Sequence, residues 1–280
     1  MAKKRIASGR IEETFENLRA RGEKALIVFI TAGDPDLETT GKLILEFARR
    51  GADIIELGIP FSDPMADGPT IQAASERALK SGTNIRIILN LIKKMRKKSE
   101  IPIVLFGYYN PLFAYGIDRF TRDAKRAGAD GVLVVDLPPE EADELKGCAD
   151  REGLELVYLL TPTSDRRRMR LVAQRATGFI YYISVAGVTG ARERVATTIR
   201  GAVRSIRRFT SLPVCVGFGI STPTQAGEIS RWADGIIVGS AIVKVIEENI
   251  DSPALVRRAG SFVARLKGGM SHAGKGDRTG

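Results

Sequence analysis

The sequence predicts a single-domain α/β fold, a closed (β/α)8 barrel of the TIM-barrel type with an extra N-terminal helix. Eight runs of apolar, largely β-branched residues alternate with stretches in which apolar residues recur at helical spacing. The runs are nearly continuous rather than alternating, which indicates a sheet that is covered on both faces. Many of their starts lie about 25 residues apart, as in a barrel of parallel strands joined by helices.

The eight predicted strands cover residues 25–33, 52–59, 101–109, 129–138, 154–162, 178–185, 213–220 and 233–243. Several helical stretches end in Gly before an Ala-Asp pair that opens the next strand, as in "RRGAD" and "RAGAD". An open doubly wound sheet is the alternative. Eight units in about 250 residues, without a G-x-G-x-x-G motif after the first strand, argue against it.

The barrel is predicted to occupy residues 1–268 without a dividing linker. An amphipathic segment at residues 9–22 precedes the first strand and is predicted to cap the bottom of the barrel. Residues 269–280, "GMSHAGKGDRTG", are polar and rich in glycine, so we expect a disordered tail.

Composition narrows the class of protein. The 280 residues are 44% hydrophobic and 27% charged, which suits a soluble globular protein with a sizeable core. No apolar run approaches the roughly 20 residues that a membrane helix needs, and no apolar segment follows the basic start. Cys148 and Cys215 lie far apart and suggest a reducing compartment. We therefore expect a cytoplasmic protein that does not contact a membrane.

The formal net charge of +10 raises the possibility of nucleic-acid binding. The basic residues cluster at 93–98, 166–170 and 204–208, each in a predicted helix and without interleaved aromatic residues. These clusters are interpreted as solvated helix faces, and we expect no nucleic-acid partner. The charge also suits an anionic ligand.

Active sites of such barrels lie at the C-terminal ends of the strands, and two absences there narrow the chemistry. The single histidine, His272, falls in the predicted tail, which argues against a metal site or a histidine base, so no metal is predicted. No lysine ends a predicted strand, so a Schiff-base mechanism lacks its amine. Carboxylates, aided by tyrosines, remain for proton transfer.

The segment "ELGIPFSDPMADGP" at residues 56–69 supplies those carboxylates. Glu56 alternates with Ile55 and Leu57, so it points into the barrel mouth if those two residues pack against helices. Desolvation there would raise its pKa towards neutrality, as a general acid or base needs. Pairing with a buried Arg or Lys is the structural alternative for Glu56. For Asp67, the second candidate, the alternative is a helix N-cap, and Asp63 looks like a turn residue.

Glycine-rich segments lie at or just after the C-terminal ends of the last three predicted strands: "GVTGA" at 187–191, "GFGIS" at 217–221 and "GSA" at 239–241. Barrels often bind phosphate with the loops after strands 7 and 8 and a short helix N-terminus. Together the three segments predict a phosphate site.

These motifs match one enzyme family. "TAGDP", "ELGIPFSDPMADGPTIQ", "GVTGAR" and "GFGIS", in order along residues 8–268, resemble the alpha subunit of tryptophan synthase. The resemblance implies a carbon–carbon lyase of tryptophan biosynthesis. Its reaction is the retro-aldol cleavage of indole-3-glycerol phosphate to indole and glyceraldehyde 3-phosphate. It assigns the acid–base role to Glu56, acceptance of the indole N–H to Asp67, and a helper role near Glu56 to Tyr181.

The resemblance also implies the remaining contacts with the substrate. Apolar contacts to indole fall on Phe29 and Tyr108, and Thr189 belongs to a mobile loop that contacts Asp67 on closure. The phosphate contacts fall on Gly190, Gly219, Gly239 and Ser240, with Phe218 and Ile220 as neighbours.

Members of this family work with a beta subunit that holds pyridoxal phosphate, as an alpha2beta2 heterotetramer, and pass indole to it through a tunnel. The resemblance places that contact on the "DPMADGP" and "YYNPL" loops and implies no cofactor in this chain. Indole release by the chain alone is the variant interpretation.

Two rival functions stay open at the level of sequence. Another barrel enzyme acting on a phosphorylated substrate, such as indole-glycerol-phosphate synthase or a phosphosugar isomerase, would need a Lys or His at a strand end. A non-catalytic subunit that senses a phosphate ligand would keep the glycine loops but would not need Glu56.

Overall fold

The computed structural model describes residues 9–184, 192–217 and 219–272, which form eight strands and twelve helices. The strands are β1 (Ala25–Thr31), β2 (Ile54–Gly58), β3 (Ile103–Gly107), β4 (Gly131–Val134), β5 (Glu155–Leu160), β6 (Ile180–Ile183), β7 (Val214–Gly217) and β8 (Gly235–Val238). The helices are α1 (Arg10–Ala20), α2 (Leu37–Arg49), α3 (Pro69–Lys80), α4 (Ile85–Met95), α5 (Tyr109–Tyr115), α6 (Ile117–Ala127), α7 (Asp143–Glu152), α8 (Arg166–Arg175), α9 (Arg192–Ile206), α10 (Pro223–Ser230), α11 (Ser240–Glu247) and α12 (Leu255–His272).

All eight strands are parallel and each pairs with its neighbours in sequence, from β1 to β8. β8 then pairs with β1, with Ala25 opposite Gly235 and Val28 opposite Val238, so the sheet is closed. The predicted TIM barrel is confirmed, and the open doubly wound sheet is excluded.

Two apolar layers explain why the strands are nearly continuous in hydrophobicity. Residues that point inward fill the barrel: Ala25, Ile27, Ile54, Val104, Leu133, Val157, Phe179, Cys215 and Ile237. Residues that point outward, such as Val28, Ile30, Ile55 and Leu57, pack beneath the surrounding helices. Every strand thus buries both faces, as a barrel requires.

The extra N-terminal helix closes the bottom of the barrel, as predicted. Ile11, Phe15 and Leu18 of α1 are buried and belong to the same cluster as the inward-pointing strand residues. The rings of Phe15 and Phe179 lie 6.0 Å apart between centroids. This end is therefore filled with apolar side chains, and the opposite end of the barrel is left for a ligand.

Three further helices stand outside the simple strand–helix alternation. They are α3, α5 and α11, which come directly after β2, β3 and β8 and precede α4, α6 and α12. All three follow C-terminal ends of strands, so they surround the mouth of the barrel.

The predicted end of the last strand is wrong. β8 ends at Val238, and Ser240–Val243, which were assigned to the strand, form the first turn of α11. Ile242 and Val243 are buried as fully as a strand residue would be. Because both elements are apolar, hydrophobicity alone could not separate them.

The C-terminal helix also extends further than predicted. α12 continues past residue 268 to His272, and residues 273–280 lie outside the described range. At Gly269 a Cβ atom would lie 2.2 Å from the carbonyl oxygen of Pro223, at the start of α10. The glycine therefore marks a close approach of two helices and not the start of a tail.

One residue of the basic cluster at 93–98 is not part of a solvated face. Arg96 donates to the carbonyl oxygens of Gly128 (2.7 Å) and Ile101 (2.6 Å) and to the carboxylate of Asp130 (2.6 Å). Asp130 is 5% exposed and also accepts from the Arg10 guanidinium at 3.0 Å. The Arg96–Asp130 pair thus links α4, α1 and the start of β4 beneath the barrel.

Asp130→Ala is expected to lower the free energy of unfolding by about 3 kcal/mol, because it leaves the Arg96 guanidinium buried without its carboxylate. Denaturant titration of the two proteins measures this loss. Asp118→Ala is the control, because Asp118 is 61% exposed where it pairs with Arg122, and we expect a loss below about 1 kcal/mol. Equal losses in the two variants would contradict a special role for the buried pair.

Candidate active site

Glu56 lies inside the mouth of the barrel, as its alternation with Ile55 and Leu57 predicts. It is paired in register with Phe29 on β1 and Val104 on β3, and its side chain is 1% exposed. Its Oε1 atom has no hydrogen-bond partner among the described residues. Burial raises the pKa of this carboxyl from 4.5 to about 8, and no neighbouring cation opposes that shift. The alternative of a Glu56–Arg or Glu56–Lys pair therefore finds no support in the described part of the chain.

The raised pKa of Glu56 makes the stability of the fold depend on pH. Between pH 4.5 and about 8 the unfolded chain releases this proton while the folded chain keeps it, so stability falls as the pH rises. Glu56→Gln, which cannot ionise, should be more stable than the native chain at pH 8 by about 4 kcal/mol, since the pKa rises from 4.5 to about 8 and each pKa unit corresponds to 1.36 kcal/mol. Denaturant titration should show this gain shrinking towards zero near pH 5. A gain that is equal at both pH values would instead indicate better packing of the amide.

Tyr181 lies on β6 on the inward-pointing side, in contact with the apolar filling of the barrel. Burial raises its pKa well above the usual value, and the nearby carboxylates of Glu56 and Asp67 raise it further. Its ring occupies the space over Gly217 of β7, where a Cβ atom would lie 2.5 Å from the phenol oxygen. The phenol therefore stays protonated close to Glu56 and is available as a hydrogen-bond donor.

Asp67 lies in the loop between β2 and α3, at the edge of the mouth. Its Oδ2 atom accepts a hydrogen bond from the Tyr108 hydroxyl at 2.9 Å. That hydroxyl in turn accepts from the backbone N–H of Ala66 at 3.0 Å. Burial raises the pKa of Asp67, and the Tyr108 hydrogen bond partly opposes the shift. The N-cap of α3 is Gly68, so the alternative of a capping role for Asp67 is wrong.

Tyr108 has a polar contact as well as an apolar one, whereas the resemblance suggested only an apolar contact with indole. Its ring stacks at an angle on Phe61, 5.3 Å between centroids, while its hydroxyl holds Asp67. Asp63 behaves as the predicted turn residue: its carboxylate accepts from the Ser62 hydroxyl at 2.5 Å, and its carbonyl oxygen accepts from the N–H of Met65.

Phe29 forms an apolar wall beside Glu56. Its ring meets that of Phe106 edge to face, 5.1 Å between centroids. Sequence reasoning missed Phe106, although its position two residues after Val104 on β3 places it on the inward side. It also missed Thr31, whose buried Oγ1 has no hydrogen-bond partner among the described residues and lies on the same side of β1 as Phe29.

The glycine loop after β8 adjoins this wall. Gly239 is the N-cap of α11, where no side chain caps the helix, and Ser240 is its first residue. A Cβ atom at Gly239 would lie 3.4 Å from the Cβ of Phe29. Gly219 has a φ of +74°, and Ile220 is buried. The structure thus places one open helix N-terminus beside the apolar wall, an arrangement that suits a phosphate group.

Three residues with an assigned role lie outside the described residues: the phosphate contact Gly190, its neighbour Phe218, and Thr189 of the loop that is expected to close on Asp67. In the described ranges, no three His, Cys, Asp or Glu side chains come together as metal ligands would. No helix of these ranges is long and apolar enough to cross a membrane.

The fold and this site define a class: TIM-barrel proteins with a buried carboxyl group, unpaired among the described residues, and an uncapped helix N-terminus at the mouth. The family model of the tryptophan synthase alpha chain matches residues 15–269. The alpha chain of Geotalea uraniireducens (strain Rf4) is 61% identical over 265 residues, which cover 95% of this chain and 99% of that one. The alpha chain of Thermoanaerobacter sp. (strain X514) is 47% identical over 92% of this chain and 98% of its own length.

Solved structures agree with this likeness. The alpha subunit from Legionella pneumophila str. Paris superposes with a TM-score of 0.89 at 40% identity, over 95% of this chain and 100% of that one. A chain of tryptophan synthase from M. tuberculosis, in an open form, superposes with a TM-score of 0.85 at 31% identity. The match covers 94% of this chain and 99% of that one. The chain therefore belongs to the tryptophan synthase alpha chain family. It is a lyase of tryptophan biosynthesis that cleaves indole-3-glycerol phosphate and works with a beta subunit.

Proposed function

We propose that the chain performs this cleavage as a retro-aldol reaction in which Glu56 moves the protons. The observation that carries the proposal is a buried, uncompensated carboxyl group with a pKa of about 8 at the mouth of the barrel. At neutral pH such a group holds its proton and can still release it, as a general acid that later acts as a base requires.

The reaction begins when the protonated Glu56 carboxyl donates its proton to the indole ring carbon that bears the glycerol chain. The ring becomes an indoleninium cation, and its N–H donates to the carboxylate of Asp67, which stabilises the positive charge. The Glu56 carboxylate then removes the proton of the hydroxyl on the adjacent glycerol carbon. As the carbon–carbon bond breaks, its electron pair returns to the ring, giving indole, and the aldehyde of glyceraldehyde 3-phosphate forms. Glu56 ends protonated, as it began.

The other residues are proposed to bind and orient the substrate. The indole ring packs against Phe29, supported by the edge-to-face contact with Phe106, and against the ring of Tyr108. The backbone N–H groups of Gly219, Gly239 and Ser240, with Gly190, bind the phosphate. Tyr181 donates a hydrogen bond near Glu56, and Thr189 contacts Asp67 when its loop closes.

We propose that the beta subunit contacts the loop after β2 and helix α5, which follows β3 and contains most of the predicted "YYNPL" loop. Met65 is 92% exposed and Phe113 is 61% exposed, and both follow strands that end at the mouth of the barrel. Large apolar side chains left in water favour a partner at this surface. The complex is proposed to be an alpha2beta2 heterotetramer, with pyridoxal phosphate in the beta subunit and no cofactor in this chain. A cytoplasmic location suits the two free cysteines, Cys148 and Cys215.

The rival barrel enzymes need a Lys or His at a strand end, and the described strand ends carry neither. The other rival, a subunit that binds the phosphate ligand without catalysis, is distinguished from a lyase by one experiment. Purified chain is incubated with indole-3-glycerol phosphate, with and without a beta subunit, and indole and glyceraldehyde 3-phosphate are quantified. We expect equimolar products and faster release with the partner. Binding of the substrate without either product, even with the partner present, would favour the sensing subunit.

A further inference from the structure

Two of the extra helices meet above the end of β1. α3 begins two residues after Asp67, and α11 begins at Ser240 beside the proposed phosphate site. Ile71 and Ala74 of α3 and Val243 of α11 pack together with Phe29 in one buried cluster. The helices that lead away from the two ends of the substrate site are therefore neighbours.

A single guanidinium joins these helices to the loop that follows β1. Arg77 of α3 donates to both carboxylate oxygens of Asp34, from Nε at 2.7 Å and from Nη2 at 3.0 Å. Its Nη1 donates to the carboxylate of Glu247, at the end of α11, at 2.8 Å. Arg77 thus ties together segments that follow β1, β2 and β8.

Arg77, Asp34 and Glu247, which we call the Arg77 trio, are more buried than an ordinary surface ion pair. Asp34 is 2% exposed and the Arg77 side chain is 24% exposed, whereas Glu247 is 41% exposed. A two-pronged Arg–carboxylate contact also fixes direction as well as distance. By contrast, Lys80 and Glu76 on the same helix form an ordinary surface pair, in which the Lys80 side chain is 73% exposed and the Glu76 side chain 67% exposed.

We propose that Arg77 is a positioning residue that sets the separation between the Asp67 end and the Ser240 end of the substrate site. The inference rests on the proposed function, in which the indole end of the substrate lies at Asp67 and its phosphate lies at α11. A ligand that spans both ends gains the binding energy of each only when the two half-sites are held at the matching distance. Separate fragments make no such demand.

The test compares a joined ligand with its fragments. The probes are indole, glycerol 3-phosphate and a non-cleavable ligand in which a three-carbon chain without hydroxyl groups joins an indole ring to a phosphate. Arg77→Gln is expected to weaken binding of the joined ligand about tenfold, while the affinity for each fragment changes less than about twofold. For indole-3-glycerol phosphate, kcat/KM should fall with the affinity of the joined ligand. Arg77→Lys should restore only part of the loss, since it keeps the charge but not the two-pronged contact.

Two further variants keep the test decisive if Arg77→Gln folds poorly. Glu247→Gln removes only the ion pair between Arg77 and α11. It should lower the affinity for the joined ligand about threefold, again without lowering the affinity for either fragment. Lys80→Gln is the matched control on α3, and it should leave the affinities for the joined ligand and for both fragments unchanged. Equal losses for joined ligand and fragments, or no loss at all, would overturn the positioning role. If the native chain fails to cleave its substrate but the joined ligand still shows the selective loss, the proposed function falls and the positioning role stands.

Discussion

Glu56→Gln is expected to lower kcat for cleavage of indole-3-glycerol phosphate by at least about 10³-fold, within the range for loss of a general acid and base. Glutamine has the shape of the protonated carboxyl group, but it can neither give a proton to the indole ring nor take one from the glycerol hydroxyl. Because Glu56 is buried and makes no ion pair in the described chain, the substitution should leave the barrel intact. Single-turnover release of indole measures the effect.

Binding separates a chemical role for Glu56 from a structural one. The affinity for the non-cleavable joined ligand should change less than about threefold in Glu56→Gln, since the lost step belongs to the transition state. Glu155→Gln is a matched control, because Glu155 begins β5 at the opposite end of the barrel, and it should keep native turnover. Turnover within tenfold of the native chain in Glu56→Gln would remove Glu56 from the mechanism.

The inward position of Glu56 could be predicted because side chains alternate along a strand. Ile54 and Glu56 share one side of β2, and the observed cluster inside the barrel contains Ile54. The cap at the bottom was equally predictable, because Ile11, Phe15 and Leu18 recur at helical spacing before the first strand. In both cases local periodicity decides which face is buried, and no knowledge of distant contacts is needed.

Other features depend on contacts between distant segments and were not predictable. Arg96 belongs to a run of basic residues, and its hydrogen bonds to Gly128 and Asp130, far along the chain, distinguish it from the exposed lysines around it. The hydroxyl of Tyr108, at the start of α5, reaches Asp67 in the loop after β2, a contact that the apolar pattern of β3 does not reveal. The turn from β8 into α11 was missed for a different, local reason. Both elements are buried, so hydrophobicity does not change at Gly239.

Asp67→Asn is expected to lower kcat by at least about 10²-fold, the scale of losing one preorganised electrostatic contact. The amide oxygen can still accept the indole N–H, but it carries no charge to oppose the cation that forms when the ring is protonated. The hydrogen bond from Tyr108 holds the group in place and partly offsets the effect of burial on its pKa. Single-turnover kinetics with indole-3-glycerol phosphate provide the measurement.

The neighbouring acid of the same loop supplies the control for Asp67. Asp63→Asn removes a carboxylate that accepts from Ser62 within a turn, and it should change kcat less than about threefold. If both variants lose activity equally, the order of the loop and not the charge at Asp67 governs the rate.

Tyr108→Phe separates the placement of the Asp67 carboxylate from its charge. It keeps the charge but frees the carboxylate to move, so we expect a loss of about fivefold to tenfold, smaller than that of Asp67→Asn. A Tyr108→Phe loss as large as that of Asp67→Asn would mean that placement of the carboxylate matters as much as its charge.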